Sequence, residues 1–432
     1  MKLQIKGIFL TVLVLMMVFA TLPLQADNTT TVRFWVHQHP PQIKYTQEVL
    51  IPEFKKTHPN VEIEFSFFPG SDYVQKLMVA FATGTGPDFF DLGDYYYPGF
   101  VSKGLIDPVD FKAMGYENQA KFEALYMKNG LEGLKFDKKL YGIPIQQNSF
   151  SLLINTKYFK EAGLDPEKDY PKTWSDIAKL APKLAKFDAN GRMIREAFDL
   201  PYNGPYWAMF TFDPLIRQFG GSVLTPDGKK AALNSKAGVA AMKMWQDLLY
   251  KSKAGDPNIS VATAAVPNED FTQGKVAMWT TGPWALAQIE ANPEVSKNTM
   301  VVPYPQNDLQ KPQTMMYGFA WSVNKTADAQ KKKLAWEFIS MAANRPTEWL
   351  LKLGFPQPRL DWYKSKEAQT FPYLDVWMDD MSKAKFLPRT PYYNEVSQAV
   401  DRAIQRCMFN KMDPKQSLDI AADEINKVLT GK

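Results

Sequence analysis

The sequence contains little material for metal or disulfide chemistry. It has one Cys and three His among 432 residues. A single Cys excludes an intrachain disulfide and a Cys-based zinc finger, and three His leave little for a multi-His metal centre. The sequence has no Walker A sequence, G-x-S-x-G elbow, H-E-x-x-H motif or Cys/His nucleophile pattern. We therefore expect a protein without a metal, without another cofactor and without catalytic residues.

A strong excess of charge of one sign is also missing. Lys and Arg number 51 and Asp and Glu number 46, which leaves a net charge of +5. That excess is too weak and too scattered for a nucleic-acid-binding protein. The absence of internal repeats disfavours an adhesin or a cell-surface structural protein. What the chain does have is aromatic residues, since 11 Trp, 19 Tyr and 28 Phe make up 13% of it.

The first 26 residues have the pattern of a secretory signal peptide. Two Lys precede an apolar run over residues 8–20, and Ala26 offers a small residue at the cleavage site. The run is shorter than the ~20 apolar residues of an ordinary membrane-spanning helix, although an uncleaved anchor is the alternative. We expect a mature chain that starts near Asp27 and is exported to a bacterial periplasm. No Cys follows the run, so lipidation has no acceptor.

Strands and helices alternate along the first ninety residues. Residues 31–36, 61–67 and 89–92 have the pattern of strands, and a loop with His37 and His39 follows the first of them. Residues 45–56 predict a helix, and Ser71 is expected to cap another. A βαβαβ opening of this kind implies parallel strands with crossover helices, and hence an α/β fold.

The rest of the chain continues the α/β pattern without a flexible linker. Thr173 opens a capping box, and Ser235 is expected to open a further helix. Strands are expected at residues 141–145, 150–155, 276–280 and 319–323, and helices near residue 284, at 329–342 and, as a pair, over 395–429. Two lobes joined by several short crossings describe this organisation better than separate domains on linkers.

Five segments, taken in order, carry a resemblance to a known family. They are residues 84–91 (GTGPDFFD), 99–108 (GFVSKGLIDP), 140–144 (LYGIP) continuing through 152–159 (LLINTKYF) to 173–174, 271–278 (FTQGKVAM) continuing to 282–284 (GPW), and 335–339 (AWEFI). Each is weak alone, but the ordered set resembles the extracellular solute-binding proteins of ABC importers, family 1, typified by maltose- and oligosaccharide-binding proteins. The similarity covers roughly residues 30–430.

This resemblance implies two α/β lobes of the type II periplasmic-binding-protein kind, with a sugar bound in the cleft between them. Residues 27–147 and about 318–362 would form the N-lobe, and residues 148–317 and about 363–432 the C-lobe. Crossings would fall near residues 147–150, 316–319 and 360–371. The protein would be a monomer that binds its solute without breaking a bond and delivers it to the membrane permease of the importer.

The resemblance also implies which aromatic residues stack on a sugar ring. Trp284, after Gly282 and Pro283, is the strongest candidate, and Tyr393 matches a second stacking position. Trp207 lies in a Gly/Pro-rich loop, where Tyr206 or Phe210 are substitutes. The alternative for Trp284 is a Trp buried in the core of one lobe.

Polar candidates follow the ends of predicted strands, which is the expected ligand edge of an α/β sheet. The resemblance places Asp94 on sugar hydroxyls, Tyr95 beside it, and the loop with His37 and His39 against the ligand. The alternatives are a helix cap for Asp94 and a metal site for the two His, which lacks a third ligand. Asn148 lies at the first crossing, and its alternative is a simple turn residue.

The abundance of aromatic residues favours a mono- or oligosaccharide as the solute. Aromatic rings cover the flat C–H faces of sugars, and polar side chains meet the hydroxyls. A sugar acid, a polyol or a glycerol-phosphate-type solute is the alternative, and an anionic solute would need Arg in the cleft. The Arg candidates are Arg217, Arg359 and Arg389. An exported glycan-active enzyme is a further alternative.

Overall fold

The computed structural model describes residues 29–127, 130–200, 204–256, 267–363 and 365–431. The predicted signal peptide lies outside these residues. The strands of the described ranges are β1 (Thr30–His37), β2 (Val61–Phe68), β3 (Phe89–Gly93), β4 (Lys135–Phe136), β5 (Lys139–Leu140), β6 (Ile143–Ser149), β7 (Ser151–Asn155), β8 (Lys186–Phe187), β9 (Met193–Arg195), β10 (Met278–Thr281), β11 (Thr299–Val302), β12 (Thr314–Val323) and β13 (Ala384–Phe386).

The helices lie between and after these strands. They are α1 (Pro40–Tyr45), α2 (Ile51–Thr57), α3 (Gly70–Ala82), α4 (Tyr97–Ser102), α5 (Gln119–Glu123), α6 (Thr156–Glu161), α7 (Trp174–Leu184), α8 (Pro205–Gln218), α9 (Lys236–Tyr250), α10 (Pro267–Thr272), α11 (Ala285–Ile289), α12 (Pro293–Ser296), α13 (Ala329–Ala343), α14 (Pro346–Leu353), α15 (Leu360–Tyr363), α16 (Leu374–Ser382), α17 (Tyr393–Met408) and α18 (Pro414–Thr430). A π-helical turn (Thr46–Leu50) joins α1 to α2.

The larger sheet has the strand order β13-β12-β3-β1-β2, and β6 pairs with β12 as well. β1 is parallel to β2 and to β3, so the βαβαβ opening predicted from the sequence is confirmed. β12 runs antiparallel to β3 and β6 and parallel to β13. We call the lobe that contains this sheet the N-lobe.

The smaller sheet has the order β10-β7-β11, and both of its pairings are antiparallel. We call the lobe that contains it the C-lobe. The chain passes from the larger sheet to the smaller one at Phe150, between β6 and β7. The predicted α/β class and two-lobed architecture are therefore confirmed.

β12 connects the packing of the two lobes. Its residues Tyr317 and Phe319 pack in the cluster that contains the C-lobe helices α8 and α17, whereas Trp321 and Val323 pack in the N-lobe cluster. Gly318 lies between Tyr317 and Phe319. A Cβ atom on Gly318 would lie 2.7 Å from the carbonyl oxygen of Gln146 in β6, so only glycine allows the two strands to approach this closely.

Local sequence signals predicted most helix starts correctly. The capping box of Thr173 and Asp176 is present at α7, and the Ser235 side chain caps α9. Three expectations were wrong. Trp207 lies in α8 and not in a loop. Pro69, rather than Ser71, is the N-cap residue of α3. The expected loop after β1 is instead the start of α1, because Pro at the first helical position suits a helix and His39 caps it.

Within the described ranges, the structure has no helix that combines the length and apolar character required to cross a membrane.

Substitution of Trp321 tests how much the packing of the N-lobe core contributes to stability. It is fully buried, and its ring lies 4.8 Å from Phe34 and 5.6 Å from Trp349, measured between centroids. Trp321→Ala should lower the free energy of unfolding by about 3–5 kcal/mol because it leaves a large cavity. Urea unfolding followed by circular dichroism measures this. Leu351→Ala, at an exposed position on α14, is the control and should change it by less than about 0.5 kcal/mol. A loss for Trp321→Ala as small as the control's would contradict this account of the core.

Candidate functional site

The residues predicted for the site lie around Tyr317 and Phe319 of β12, where the two lobes meet. The ring centroid of Tyr317 lies 4.3 Å from that of Phe210 and 6.0 Å from that of Phe150. The ring of Phe319 stacks on that of His37 with centroids 4.3 Å apart. Neither Tyr317 nor Phe319 was among the predicted site residues, although a Gly between two aromatics in a strand is a signal of close backbone approach.

Trp284 lies at the apolar end of the site. Its Nε1 donates a hydrogen bond to the Tyr317 hydroxyl at 2.7 Å, and its ring centroid lies 6.0 Å from that of Trp207. Trp284 is buried, as the core alternative required. Its ring also lies edge-on to that of His39 at 6.2 Å, so the C-lobe Trp contacts the N-lobe segment after β1. Both predicted Trp residues are therefore brought together at the lobe interface.

Gly354 fixes the position of Trp284 and was missed by the sequence analysis. It ends α14 in the left-handed conformation with φ +65°, which favours glycine. A Cβ atom there would lie 2.3 Å from the carbonyl oxygen of Pro283 and 2.8 Å from Cα of Trp284. Glycine at this helix end thus lets α14 approach the turn that carries Trp284.

His39 presents a neutral imidazole to the interface. Its Nδ1 accepts a hydrogen bond from the Gln42 N–H at 3.3 Å, which leaves the proton on Nε2. Burial, with a smaller effect of His37, lowers the pKa of His39 to about 3. Its Nε2 is buried and has no hydrogen-bond partner among the described residues. His39 therefore offers an N–H donor at the apolar end of the site.

His37 is held by a carboxylate of the neighbouring strand. Its Nδ1 lies 2.5 Å from Oδ2 of Asp91, and its backbone N–H donates to Oδ1 of the same residue. This pairing fixes the ring against Phe319. In the described ranges, the structure has no group of three or more His, Cys, Asp or Glu side chains arranged to hold a metal ion.

Three buried aromatic side chains form the middle of the site. The ring of Tyr95 lies 4.6 Å from Tyr393 and 5.6 Å from Phe210, measured between centroids. Tyr95 follows β3 in the N-lobe sheet, and Tyr393 begins α17 in the C-lobe. Both are about 1% exposed. The two predicted Tyr residues therefore contact each other across the lobe interface, and Phe210 joins them.

The polar end of the site contains Asp94 and Arg389. Nη2 of Arg389 lies 3.5 Å from Oδ2 of Asp94, and its guanidinium lies 3.9 Å from the ring centroid of Phe386. Burial raises the pKa of Asp94 to about 6, although Arg389 and the N–H of Gly318 act in the opposite direction. The helix-cap alternative for Asp94 is wrong, since Gly93 is the N-cap residue of the short helix that follows.

Only one of the three candidate Arg residues belongs to this site. Arg217 pairs with Asp213 and donates to the Phe386 carbonyl oxygen. Arg359 pairs with Asp361 and donates to the carbonyl oxygen of Ala343. These two guanidinium groups hold parts of the fold together. Arg389 was unplaced by the sequence, because the contact that defines its role comes from a residue far away in the chain.

A small cavity lies beside Asp94 and is bordered by strands β6 and β12. Its volume of about 10 Å³ is roughly the room that one water molecule needs. It is lined by Asp94, Gly130, Gly133, Leu134, Pro144, Gln146, Gln147, Gly318, Phe319, Ala320 and Phe386. Asn148 lies on β6 beside these residues and is fully buried, and its Nδ2 donates to Oε1 of Gln146 at 2.6 Å. The turn alternative for Asn148 is therefore wrong.

The fold and the site define a two-lobed α/β protein with an aromatic and polar site between its lobes. The model of the family described as bacterial extracellular solute-binding protein matches residues 39–370. This is well over half of the chain. The chain therefore belongs to the family of bacterial extracellular solute-binding proteins, and the resemblance found in the sequence is confirmed.

Relatives in this family differ in the solutes for which they are named. The sn-glycerol-3-phosphate-binding periplasmic protein UgpB of Shigella dysenteriae serotype 1 is 26% identical over 435 residues, with 94% of this chain and 93% of that protein covered. The galactooligosaccharide-binding protein of Bacillus subtilis is 24% identical over 397 residues, covering 86% and 84%.

A solved structure shares the fold over its whole length. It is an ABC transporter solute-binding protein from Thermotoga lettingae TMO bound with alpha-D-tagatose. Its TM-score is 0.80 at 25% sequence identity, with 93% of this chain and 100% of that chain covered.

The raised pKa of Asp94 predicts how stability depends on pH. The pKa of Asp94 is about 6 in the folded protein, against about 3.9 for an Asp in the unfolded chain. Between these two pH values, the folded state therefore keeps a proton that the unfolded chain has released. The stability of the wild type relative to Asp94→Asn should therefore fall as the pH rises from 4 to 6, by about 2 kcal/mol in total, and stay constant above pH 7. Urea unfolding of both proteins across this range measures it.

The control for this prediction is a neutral residue of the same cavity. Gln146→Ala removes no titratable group, so its effect on the free energy of unfolding should be the same at pH 4 and pH 7. A difference between wild type and Asp94→Asn that stays flat from pH 4 to 7 would contradict the raised pKa.

Proposed function

We propose that this protein is the solute-binding component of an ABC importer and that it binds a mono- or oligosaccharide between its lobes. One observation carries the proposal. Trp207, Trp284, Tyr95 and Tyr393 meet at the lobe interface beside the buried Asp94, which pairs with the half-buried Arg389. Aromatic faces suit the C–H surfaces of a sugar ring, and the paired carboxylate and guanidinium suit its hydroxyls.

The charge of the site supports a neutral solute over an anion. Arg389 lies within ion-pair distance of Asp94, and His39 is uncharged because its pKa is about 3. An anionic solute would approach the Asp94 carboxylate as closely as the Arg389 guanidinium, and the repulsion would offset much of the attraction. A neutral polyhydroxy solute bonds to both groups without that conflict.

Solute binding is coupled to closure of the lobes. The candidate residues come from both lobes, with His39 and Asp94 on the N-lobe side and Trp284 and Tyr393 on the C-lobe side. A solute contacts all of them only when the lobes are together. The closed arrangement is then favoured by the additional contacts, which is the differential affinity that a shift between two states requires.

A glycerol-phosphate-type solute is the second candidate. Nε of Arg389 is buried and has no hydrogen-bond partner in the described part of the chain, and a phosphate oxygen is a suitable acceptor for it. The relative named for sn-glycerol-3-phosphate is 26% identical to this chain, which is comparable to the 24% of the relative named for galactooligosaccharides. This candidate requires that the solute displace the contact between Arg389 and Asp94.

The remaining features of the proposal concern the cell. The protein would be exported through a cleaved signal peptide, act in the periplasm as a monomer, and deliver its solute to the membrane permease without chemical change. The lobe boundaries would be residues 27–147 with about 318–362, and residues 148–317 with about 363–432. Solute-binding function without catalysis is typical of the family.

A solute panel with stacking variants tests the proposed function. Neutral mono- and oligosaccharides, sugar acids, polyols and sn-glycerol-3-phosphate are added, and the unfolding midpoint and the dissociation constant are measured. A sugar at 100 times its dissociation constant should add about 2.7 kcal/mol of stability. Trp284→Ala and Tyr393→Ala should each weaken binding at least about tenfold, or 1.4 kcal/mol, because they remove interface aromatics.

Tyr392→Ala is the matched control for Tyr393→Ala. Tyr392 is the adjacent Tyr and is 41% exposed, so its loss should leave the affinity unchanged. Arg389→Gln separates the two solute classes. If sn-glycerol-3-phosphate alone binds, and Arg389→Gln abolishes that binding, the sugar proposal is wrong and the second candidate is correct. Cleavage of an oligosaccharide by the wild type would contradict the proposal of a binding protein.

The position of the N-terminus in the exported protein tests the predicted cleavage of a signal peptide. The N-terminal residue of protein recovered from the periplasm should lie near Asp27, as measured by N-terminal sequencing. Val14→Arg places a charge in the apolar run and should hold the protein in the cytoplasm, whereas Asn28→Gln, beyond the cleavage site, should be exported normally. Full-length protein retained in the membrane of the wild type would instead support the uncleaved anchor.

A further inference from the structure

The segment between α14 and α15 follows the wall of the site. The ring centroid of Phe355 lies 4.8 Å from that of His39. The carbonyl oxygen of Pro356 accepts a hydrogen bond from the N–H of Gln147, which lines the cavity beside Asp94, at 2.7 Å. Pro358 packs against another lining residue, since a Cβ atom on Gly130 would lie 2.6 Å from its Cβ. Residue 357 is therefore flanked on both sides by residues that contact the site.

The side chain at this position is a buried carboxamide with unmet hydrogen-bonding capacity. Gln357 is 1% exposed, and in the described part of the chain neither its Oε1 nor its Nε2 has a hydrogen-bond partner. Its backbone is fixed, because its carbonyl oxygen accepts a hydrogen bond from Nε1 of Trp362 at 2.7 Å. A buried polar group without partners opposes folding, so its presence calls for a role in binding or for a partner outside the protein.

We propose that Gln357 is a specificity-determining residue of the solute site, whose carboxamide donates to and accepts from hydroxyl groups of the bound solute. The inference rests on the proposed function. His39 supports the assignment because its Nε2–H is also without a partner in the described ranges and its ring contacts Phe355, two residues before Gln357. Together the two residues offer three N–H donors and one acceptor oxygen, and the ring of His39 lies 6.2 Å from that of Trp284, measured between centroids.

The chemistry of a carboxamide decides which solutes it favours. A carboxamide both donates and accepts hydrogen bonds, and so does a hydroxyl group. A carboxylate or an ionised phosphate only accepts, so it would satisfy Nε2 of Gln357 and leave Oε1 facing another oxygen atom. Gln357 thus discriminates in favour of a neutral polyhydroxy solute, which makes it a determinant of solute class rather than of affinity alone.

Gln357→Leu tests this role because it should raise the stability of the solute-free protein and weaken its affinity for the solute. The Leu side chain has a similar size and no polar atoms. Without solute, the variant should therefore unfold a few degrees higher than the wild type, because the unpartnered carboxamide is gone. With the sugar that the panel identifies, its dissociation constant should rise at least about tenfold. Gln398→Leu, at an exposed position on α17, is the control and should change neither value.

Gln357→Glu is the second variant, and it keeps the shape while it removes the donor. Its affinity for the sugar should fall, and its affinity for sn-glycerol-3-phosphate should fall further because a carboxylate repels the phosphate. The inference is overturned if Gln357→Leu lowers the unfolding midpoint and leaves sugar affinity unchanged, since the carboxamide then stabilises the fold only. Failure of the proposed function is distinct, because it appears as an absence of sugar binding in the wild-type protein.

Discussion

The pairing of β12 with three other strands is the constraint on which the site depends. Its first residues pair with β13, its middle with β6 and its end with β3. Tyr317 and Phe319, in the middle, therefore project into the lobe interface from a strand that is hydrogen-bonded on both edges. The centre of the site is set by backbone pairing, and Gly318 permits the close approach to β6 on which that pairing relies.

The electrostatics of the site follow from its burial. A carboxylate removed from water resists ionisation, and the raised pKa of Asp94 expresses this. Arg389 opposes the shift without abolishing it, and the pKa of His39 falls because the same loss of water disfavours its cation. The result is a site with several strong donors and acceptors and little net charge. Such a site discriminates by the geometry of hydrogen bonds more than by the charge of the solute.

The predictable part of the molecule was the part encoded locally. The strands of the βαβαβ opening, the capping box of Thr173 and the turn before Trp284 each depend on neighbouring residues, and the sequence identified them. Family resemblance supplied Asp94 and Tyr393. Arg389 and Gln357 could not be placed in this way, because their roles come from contacts with residues distant along the chain. The expected loop at His39 was wrong because its imidazole caps α1 and the prolines that follow suit the first turn of a helix.

In the proposed function, unpartnered polar atoms of the interface link solute binding to closure of the lobes. At the interface, Nε2 of His39 and Nε of Arg389 are buried without protein partners in the described ranges. Burial of such groups is unfavourable unless something else bonds to them. In water these groups are satisfied, so the closed arrangement without solute is penalised. A solute whose oxygen atoms bond to both groups removes that penalty only in the closed arrangement, so the bound solute favours closure.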